Sequence, residues 1–138
     1  MKENGFNVKV EADLAQTGFC FGGNVDNCGT WMDKMGSAAQ INKGVPATPR
    51  DGAPVELVGL QYSVLSFLAR LHSQGKFSRE GVDQISFQTW ADLIKANFTR
   101  CFYVPEETSS EYDIDARLVN QRGIYKDTYR STQGYTDY

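Results

Sequence analysis

The chain has 138 residues, 41% of them hydrophobic and 22% charged, with a net charge of −3. That length holds one domain with a core of ordinary size, and the composition excludes global disorder. The mild negative charge and the absence of a basic run argue against a nucleic-acid partner, and no apolar segment is long enough to span a membrane.

The chain opens as a β-hairpin. Val8, Val10 and Ala12 alternate with Lys9 and Glu11, residues 13–18 form the turn, and Phe19 and Phe21 alternate on the return strand before Gly22-Gly23-Asn24. Residues 24–53 are irregular, with Gly29, Gly36 and Gly44 and with Pro46 and Pro49. An ordered segment of that length without regular elements is usually functional.

A helix is predicted over about residues 54–72. Pro54 suits its first turn, Asp51 is the candidate N-cap or a nearby acid, and Gly75 ends it. Leu57, Leu60, Val64, Leu68 and Leu71 form one apolar stripe, and Val55, Val58, Tyr62, Leu65 and Ala69 form a second beside it. This helix is therefore expected to be buried on several sides. A second helix is predicted over about residues 86–102, N-capped by Ser86, with Phe87, Trp90, Ile94, Phe98 and Cys101 at helical spacing. Trp90 reads as core and not as a ligand contact. Residues 106–115 read as an acidic, solvated loop, and the Tyr-, Thr- and Gly-rich residues 122–138 show no closing element. Two helices and a hairpin do not close a core by themselves, so the chain reads as a piece of a larger fold.

The three cysteines, Cys20, Cys28 and Cys101, lack metal-type spacing and read as reduced thiols. No signal-peptide run follows Met1-Lys2-Glu3-Asn4, so a cytoplasmic location is expected. A lone histidine, His72, is too little for a His-rich metal site, and no metal or cofactor is expected. P-loop, dinucleotide and nucleophile-elbow patterns are missing.

Carboxylate chemistry remains. Asn27-Cys28-Gly29-Thr30-Trp31-Met32-Asp33-Lys34-Met35-Gly36 sets a carboxylate two residues from an indole, between glycines. A carboxylic acid in a partly apolar pocket can protonate a glycosidic oxygen, and Trp31 can stack on a sugar ring. The plainer alternatives are a turn aspartate and a buried indole anchor. Arg50-Asp51-Gly52 is either a substrate contact or an ion pair at the entry to the helix.

The 27–36 run resembles the carboxy-terminal, amylo-1,6-glucosidase region of the glycogen debranching enzyme family. So does Asn42-Lys43-Gly44-Val45-Pro46-Ala47-Thr48-Pro49-Arg50-Asp51-Gly52-Ala53, continuing through Val55-Glu56-Leu57-Val58-Gly59-Leu60. Arg122-Gly123-Ile124-Tyr125-Lys126-Asp127-Thr128-Tyr129 and Thr17-Gly18-Phe19-Cys20-Phe21-Gly22-Gly23-Asn24 also fit. The likeness covers essentially the whole chain, more loosely over residues 75–121. Ser37-Ala38-Ala39-Gln40-Ile41 departs from the family, which usually has an acidic residue and a longer link there.

The resemblance implies a mainly α fold, part of an (α/α)6 toroid or barrel with an N-terminal β-hairpin and long ordered loops. It makes residues 1–138 one partial glucosidase domain with no internal boundary. It implies inverting hydrolysis of the α-1,6-linked glucose at glycogen branch stubs, in an enzyme that also transfers short maltooligosaccharides. Asp33 then stands as the general acid, with Trp31 against the glucosyl unit and Arg50 and Asp51 lining or bracing the site. The general base is a Glu downstream of this chain. The implied partners are glycogen or its limit dextrin and the remainder of the enzyme. The rival readings are a non-catalytic glucan-binding or structural segment, and another sugar hydrolase of the same helical architecture.

Overall fold

A computed structural model describes residues 10–23 and 51–132. In chain order they form β1 (Glu11–Ala12), β2 (Cys20–Phe21), β3 (Ala53–Pro54), α1 (Val55–Ser73), β4 (Gly81–Val82), β5 (Ile85–Ser86), α2 (Phe87–Phe102), β6 (Tyr103–Val104), β7 (Ile124–Tyr125) and β8 (Thr128–Tyr129). The strands pair antiparallel, two by two: β1 with β2, β3 with β8, β4 with β5 and β6 with β7. The fold of the described residues is thus mixed, with two helices and several small sheets. This corrects the mainly α, (α/α)6 expectation. That expectation came from family likeness, whereas helical periodicity supports only two segments, and two-residue stretches of the other described residues pair as strands.

The hairpin forms over Glu11–Ala12 and Cys20–Phe21; Val10 lies outside the strand and is 67% exposed, and Val8 and Lys9 lie outside the described residues. The hairpin turn is closed by the Asp13 carboxylate, which accepts hydrogen bonds from the Gln16 amide at 3.1 Å and the Thr17 hydroxyl at 3.0 Å. Gly18, at φ +77°, supplies the left-handed residue before the return strand. Both helices pin this turn. Gln61 of α1 donates to the Gly18 carbonyl at 2.9 Å and accepts from the Cys20 amide at 3.2 Å, and Trp90 Nε1 of α2 donates to the same Gly18 carbonyl at 2.7 Å. Trp90 is accordingly half-buried against the core, as its helical spacing predicts.

Helix α2 starts as read from the sequence, with Ser86 Oγ accepting from the Thr89 amide at 3.0 Å. Helix α1 starts differently. Its N-cap is Pro54, with no side-chain capping bond, and the Val55 amide donates to the Asp127 carbonyl at 2.9 Å. A free donor of the first turn is satisfied by the β7–β8 turn, so Asp51 is not the cap. The far end is a Schellman closure around Gly75 at φ +70°, with Gly75 N bonded to His72 O and Lys76 N to Leu71 O.

The core lies where α1, α2, β2, β3 and β8 meet. Phe19, Phe102 and Tyr129 are fully buried and form an aromatic triangle with ring centroids 5.4, 5.8 and 5.8 Å apart. Each such contact adds about 0.5–1.5 kcal/mol beyond area burial. Val58 and Leu65 of α1 pack against Ala91 and Ile94 of α2 within one cluster. The other apolar stripe of α1 is only partly covered: Leu68 packs on the core and Leu57 and Leu71 are half-buried, but Leu60 is 54% exposed and Val64 55%, beside Phe67 at 48%. The expectation that α1 is buried on several sides is corrected, because α2 and the sheets cover one side only. No helix of the described residues is long and apolar enough to cross a membrane.

Residues 122–132, read from sequence as open tail, hold β7 and β8. The acidic loop before them stays at the surface. There Asp115 and Arg117 pair at 2.6 Å, and the Arg117 hydrogen bonds hold the Asp115 carboxyl down to about 2. An exposed pair of this kind adds little stability.

Candidate functional site

Three of the segments that carry the family likeness meet in space. Gly22 and Gly52 form an antiparallel bridge, Gly22 N to Gly52 O at 2.9 Å and Gly52 N to Gly22 O at 3.0 Å. One residue on, Ala53 pairs with Tyr129 and Pro54 with Thr128. The end of the hairpin, the Gly52-Ala53-Pro54 stretch and the 122–129 motif are thereby joined edge to edge, although up to about a hundred residues separate them in sequence.

Gly52 sits at the centre of the junction. It is buried at φ +94°, and a β-carbon there would lie 2.7 Å from the Tyr129 carbonyl and 2.9 Å from the Ser131 amide. Only glycine admits so close a backbone approach. Its neighbour Asp51 is half-exposed, and its carboxylate accepts bonds from the Thr132 amide at 3.1 and 3.2 Å and from the Thr132 hydroxyl. The structure thus brings Asp51 to the junction as a brace between β3 and the residues after β8. Trp31, Asp33 and Arg50 lie outside the described residues, and so does any Arg50–Asp51 ion pair.

Beneath the junction is a polar cluster that the sequence reading did not single out. Tyr129 is 1% exposed, and its hydroxyl donates to an Asp113 carboxylate oxygen. Lys126, 2% exposed, donates to the Asp113 carbonyl and holds its ammonium 5.3 Å from the Tyr129 ring centroid. Arg130, at φ +55°, places its guanidinium 5.0 Å from that same centroid and 3.6 Å from Asp113 Oδ2. Both cations interact favourably with the ring. Burial pushes the Cys101 thiol up, opposed by its hydrogen bond to Tyr129. Alternation gives no signal for it: Tyr125 and Asp127, which share the period-two face of Tyr129, are exposed, while Lys126 and Thr128 between them are buried along with Tyr129.

Burial, then hydrogen bonds to Asp113 and Cys101, raises the Tyr129 phenol well above the ordinary tyrosine range. The folded state therefore holds a proton that the unfolded chain releases above about pH 10. Stability from this group is complete below that pH and is lost as pH rises through it, by up to about 1.4 kcal/mol per pH unit. Denaturant midpoints measured from about pH 9 to about pH 11 are expected to fall. Tyr129→Phe is expected to flatten that fall by one proton, while losing about 1 kcal/mol at neutral pH from the missing hydroxyl bond.

Among the described residues no three His, Cys, Asp or Glu side chains lie close enough to hold a metal ion. A groove of about 320 Å³ runs between α1 and α2, lined chiefly by Val58, Gly59, Tyr62, Ile94 and Phe98, with Lys95 at its rim. Its lining contains no carboxylate and none of the candidate catalytic or substrate-binding residues read from the sequence.

A family model described as amylo-alpha-1,6-glucosidase matches residues 1–138, the whole chain. The chain is also similar to a Saccharomyces cerevisiae protein named glycogen debranching enzyme, at 44% identity over 147 aligned positions. That alignment covers 100% of this chain and 10% of the relative, so the chain spans about a tenth of that relative's length.

Proposed function

The chain belongs to the amylo-alpha-1,6-glucosidase family, and from that membership we propose that it supplies the acid half of a site that hydrolyses α-1,6-linked glucose at branch stubs of glycogen. The observation that carries this reading is the family match along the entire chain, joined to 44% identity with a glycogen debranching enzyme. In the same reading, residues 1–138 form one part of a larger glucosidase domain without an internal boundary.

Asp33 is the proton donor to the glycosidic oxygen, and Trp31 stacks on the glucosyl ring. Hydrolysis proceeds with inversion. That requires a second carboxylate roughly 6.5–9.5 Å from the acid, with water between them. The base is a Glu supplied by chain beyond these residues, so these residues alone have no group to activate the water. Arg50 and Asp51 brace or line the site. The hydrogen bonds from Thr132 to Asp51 support the bracing role, since they occupy carboxylate oxygens that a free acid or base would keep open.

The complete polypeptide is expected to release glucose from phosphorylase-limit dextrin, and the first-formed anomer, followed by proton NMR, is expected to be β. Release of α-glucose would replace inversion with retention. Absence of any glucose release from the purified enzyme would remove the α-1,6-glucosidase reading altogether.

A further inference from the structure

A row of aromatic rings runs from the core to the surface at one end of the helix pair. Phe98 of α2 lies nearly parallel to the buried Phe102, with centroids 5.0 Å apart and planes at 22°. Tyr125 of β7 lies nearly parallel to Phe98 in turn, at 5.7 Å and 27°. Tyr103 stands directly opposite Tyr125 across the β6–β7 pair, 5.2 Å away and tilted by 52°, and Tyr112 meets Tyr103 edge-on at 5.8 Å. With Phe98 against it and Tyr103 beside it, Tyr125 is still 52% exposed. A phenol ring held in this way is already ordered, so a flat partner can stack on it with little further loss of side-chain freedom.

The row ends beside the junction that holds Asp51. The Lys126 amide donates to the Phe102 carbonyl at 2.8 Å, and the carbonyl of the next residue, Asp127, accepts from the Val55 amide at 2.9 Å. Residues 126 and 127 thereby tie the end of α2 to the start of α1, and Tyr125 directly precedes them. The exposed ring therefore lies at the end of the helix pair where Asp51 and Gly52 enter α1.

From this placement we infer that the Tyr103–Tyr125 pair is a subsite for the glucan main chain that carries the branch stub, apart from the residues that hold the scissile glucose. The inference rests on the glucosidase reading and extends it to the polymer side of the substrate. The chemistry of the partner selects it. A glucopyranose ring has a flat face of C–H groups that stacks on an aromatic ring while its hydroxyl groups stay at the rim in water. Successive rings of an α-1,4-linked chain are turned relative to one another, so two phenol planes set at 52° suit a curved chain better than a single flat platform does. A nucleic-acid base also stacks on aromatic rings, but a chain of net charge −3 offers no attractive field for a phosphate backbone.

The test compares two substrates in the complete polypeptide. Phosphorylase-limit dextrin carries the main chain, whereas α-glucosyl fluoride is a single glucose unit that fills only the scissile position. Tyr125→Ala is expected to raise KM for limit dextrin about 5- to 10-fold, with kcat on it and both constants for the fluoride within about two-fold of the parent. Tyr125→Phe keeps the ring face and is expected to retain the parental KM. Should Tyr125→Ala not fold, Tyr125→Val, which suits a strand and has no ring, is read in the same way. An unchanged KM for limit dextrin would overturn the inference and leave Tyr125 to contacts with other parts of the polypeptide. Equal losses on both substrates would make its role structural, and a Phe variant as impaired as the Ala variant would replace stacking with a hydroxyl contact, each against the inference. A parent that releases glucose from neither substrate would instead remove the glucosidase reading, so the two failures are separable.

Discussion

Gly52→Ala is expected to be a severely damaging single-methyl change at the core of the described fold, lowering stability by about 2–6 kcal/mol. A non-glycine residue in the left-handed region costs about 1–3 kcal/mol, and Gly52 sits at φ +94°. Overpacking adds about 1–3 kcal/mol, and here the clashing atoms are backbone, the Tyr129 carbonyl at 2.7 Å and the Ser131 amide at 2.9 Å. Neither can swing aside as a side-chain end would, because Tyr129 is paired with Ala53 and packed in the core. A typical domain is stable by only about 5–15 kcal/mol, so the loss approaches global unfolding. Two other glycines calibrate the result. Gly75 is also left-handed, at φ +70°, but has open space around it, so Gly75→Ala is expected to cost about 1–2 kcal/mol from backbone alone. Gly59 has neither constraint, and Gly59→Ala is expected to strengthen α1 intrinsically by up to about 1 kcal/mol. Denaturant midpoints at a common slope check the order, and a Gly52→Ala loss no larger than that of Gly75→Ala would refute the close-approach argument.

The junction around Gly52 also shows what the sequence could and could not convey. Local signals were readable because they act over a few residues. Ser86 caps α2, Gly75 closes α1, and the 13–18 turn appears where Asp13 and Gly18 place it. The pairing of residue 22 with residue 52, and of 53 with 129, was not readable, because two-residue strands have too little alternation to register. For the same reason β7 and β8 looked like an open tail. Periodicity says only that a face of α1 is apolar and not whether anything covers it. Here Val58 and Leu65 join the core cluster with α2, Leu68 packs on the same core, and Leu60 and Val64 meet solvent. Family likeness named Asp33, Trp31, Arg50 and Asp51 together, and of these only Asp51 falls within the described residues, where its Thr132 contacts make it a brace.

Asp33→Asn in the complete polypeptide is expected to reduce glucose release from limit dextrin by about 10²–10⁴-fold, the usual contribution of a positioned general acid. Asparagine keeps nearly the same size and can still accept a hydrogen bond, but it has no proton to give to the departing oxygen. The loss should therefore fall on kcat and leave KM within a few-fold, since the change removes an interaction made in the transition state. The resemblance implies that transfer of maltooligosaccharide units belongs to another site, so on that reading it should be unaffected. A substrate with an activated leaving group gives a sharper test. Fluoride leaves α-glucosyl fluoride with little or no protonation, so the acid variant should recover most of its rate on it, whereas a variant lacking the downstream base should not. Asp33→Asn that hydrolyses limit dextrin at near-parental rate would take the acid role from this residue. Equal losses on both substrates would assign Asp33 to positioning the sugar and leave the proton donor to be sought elsewhere.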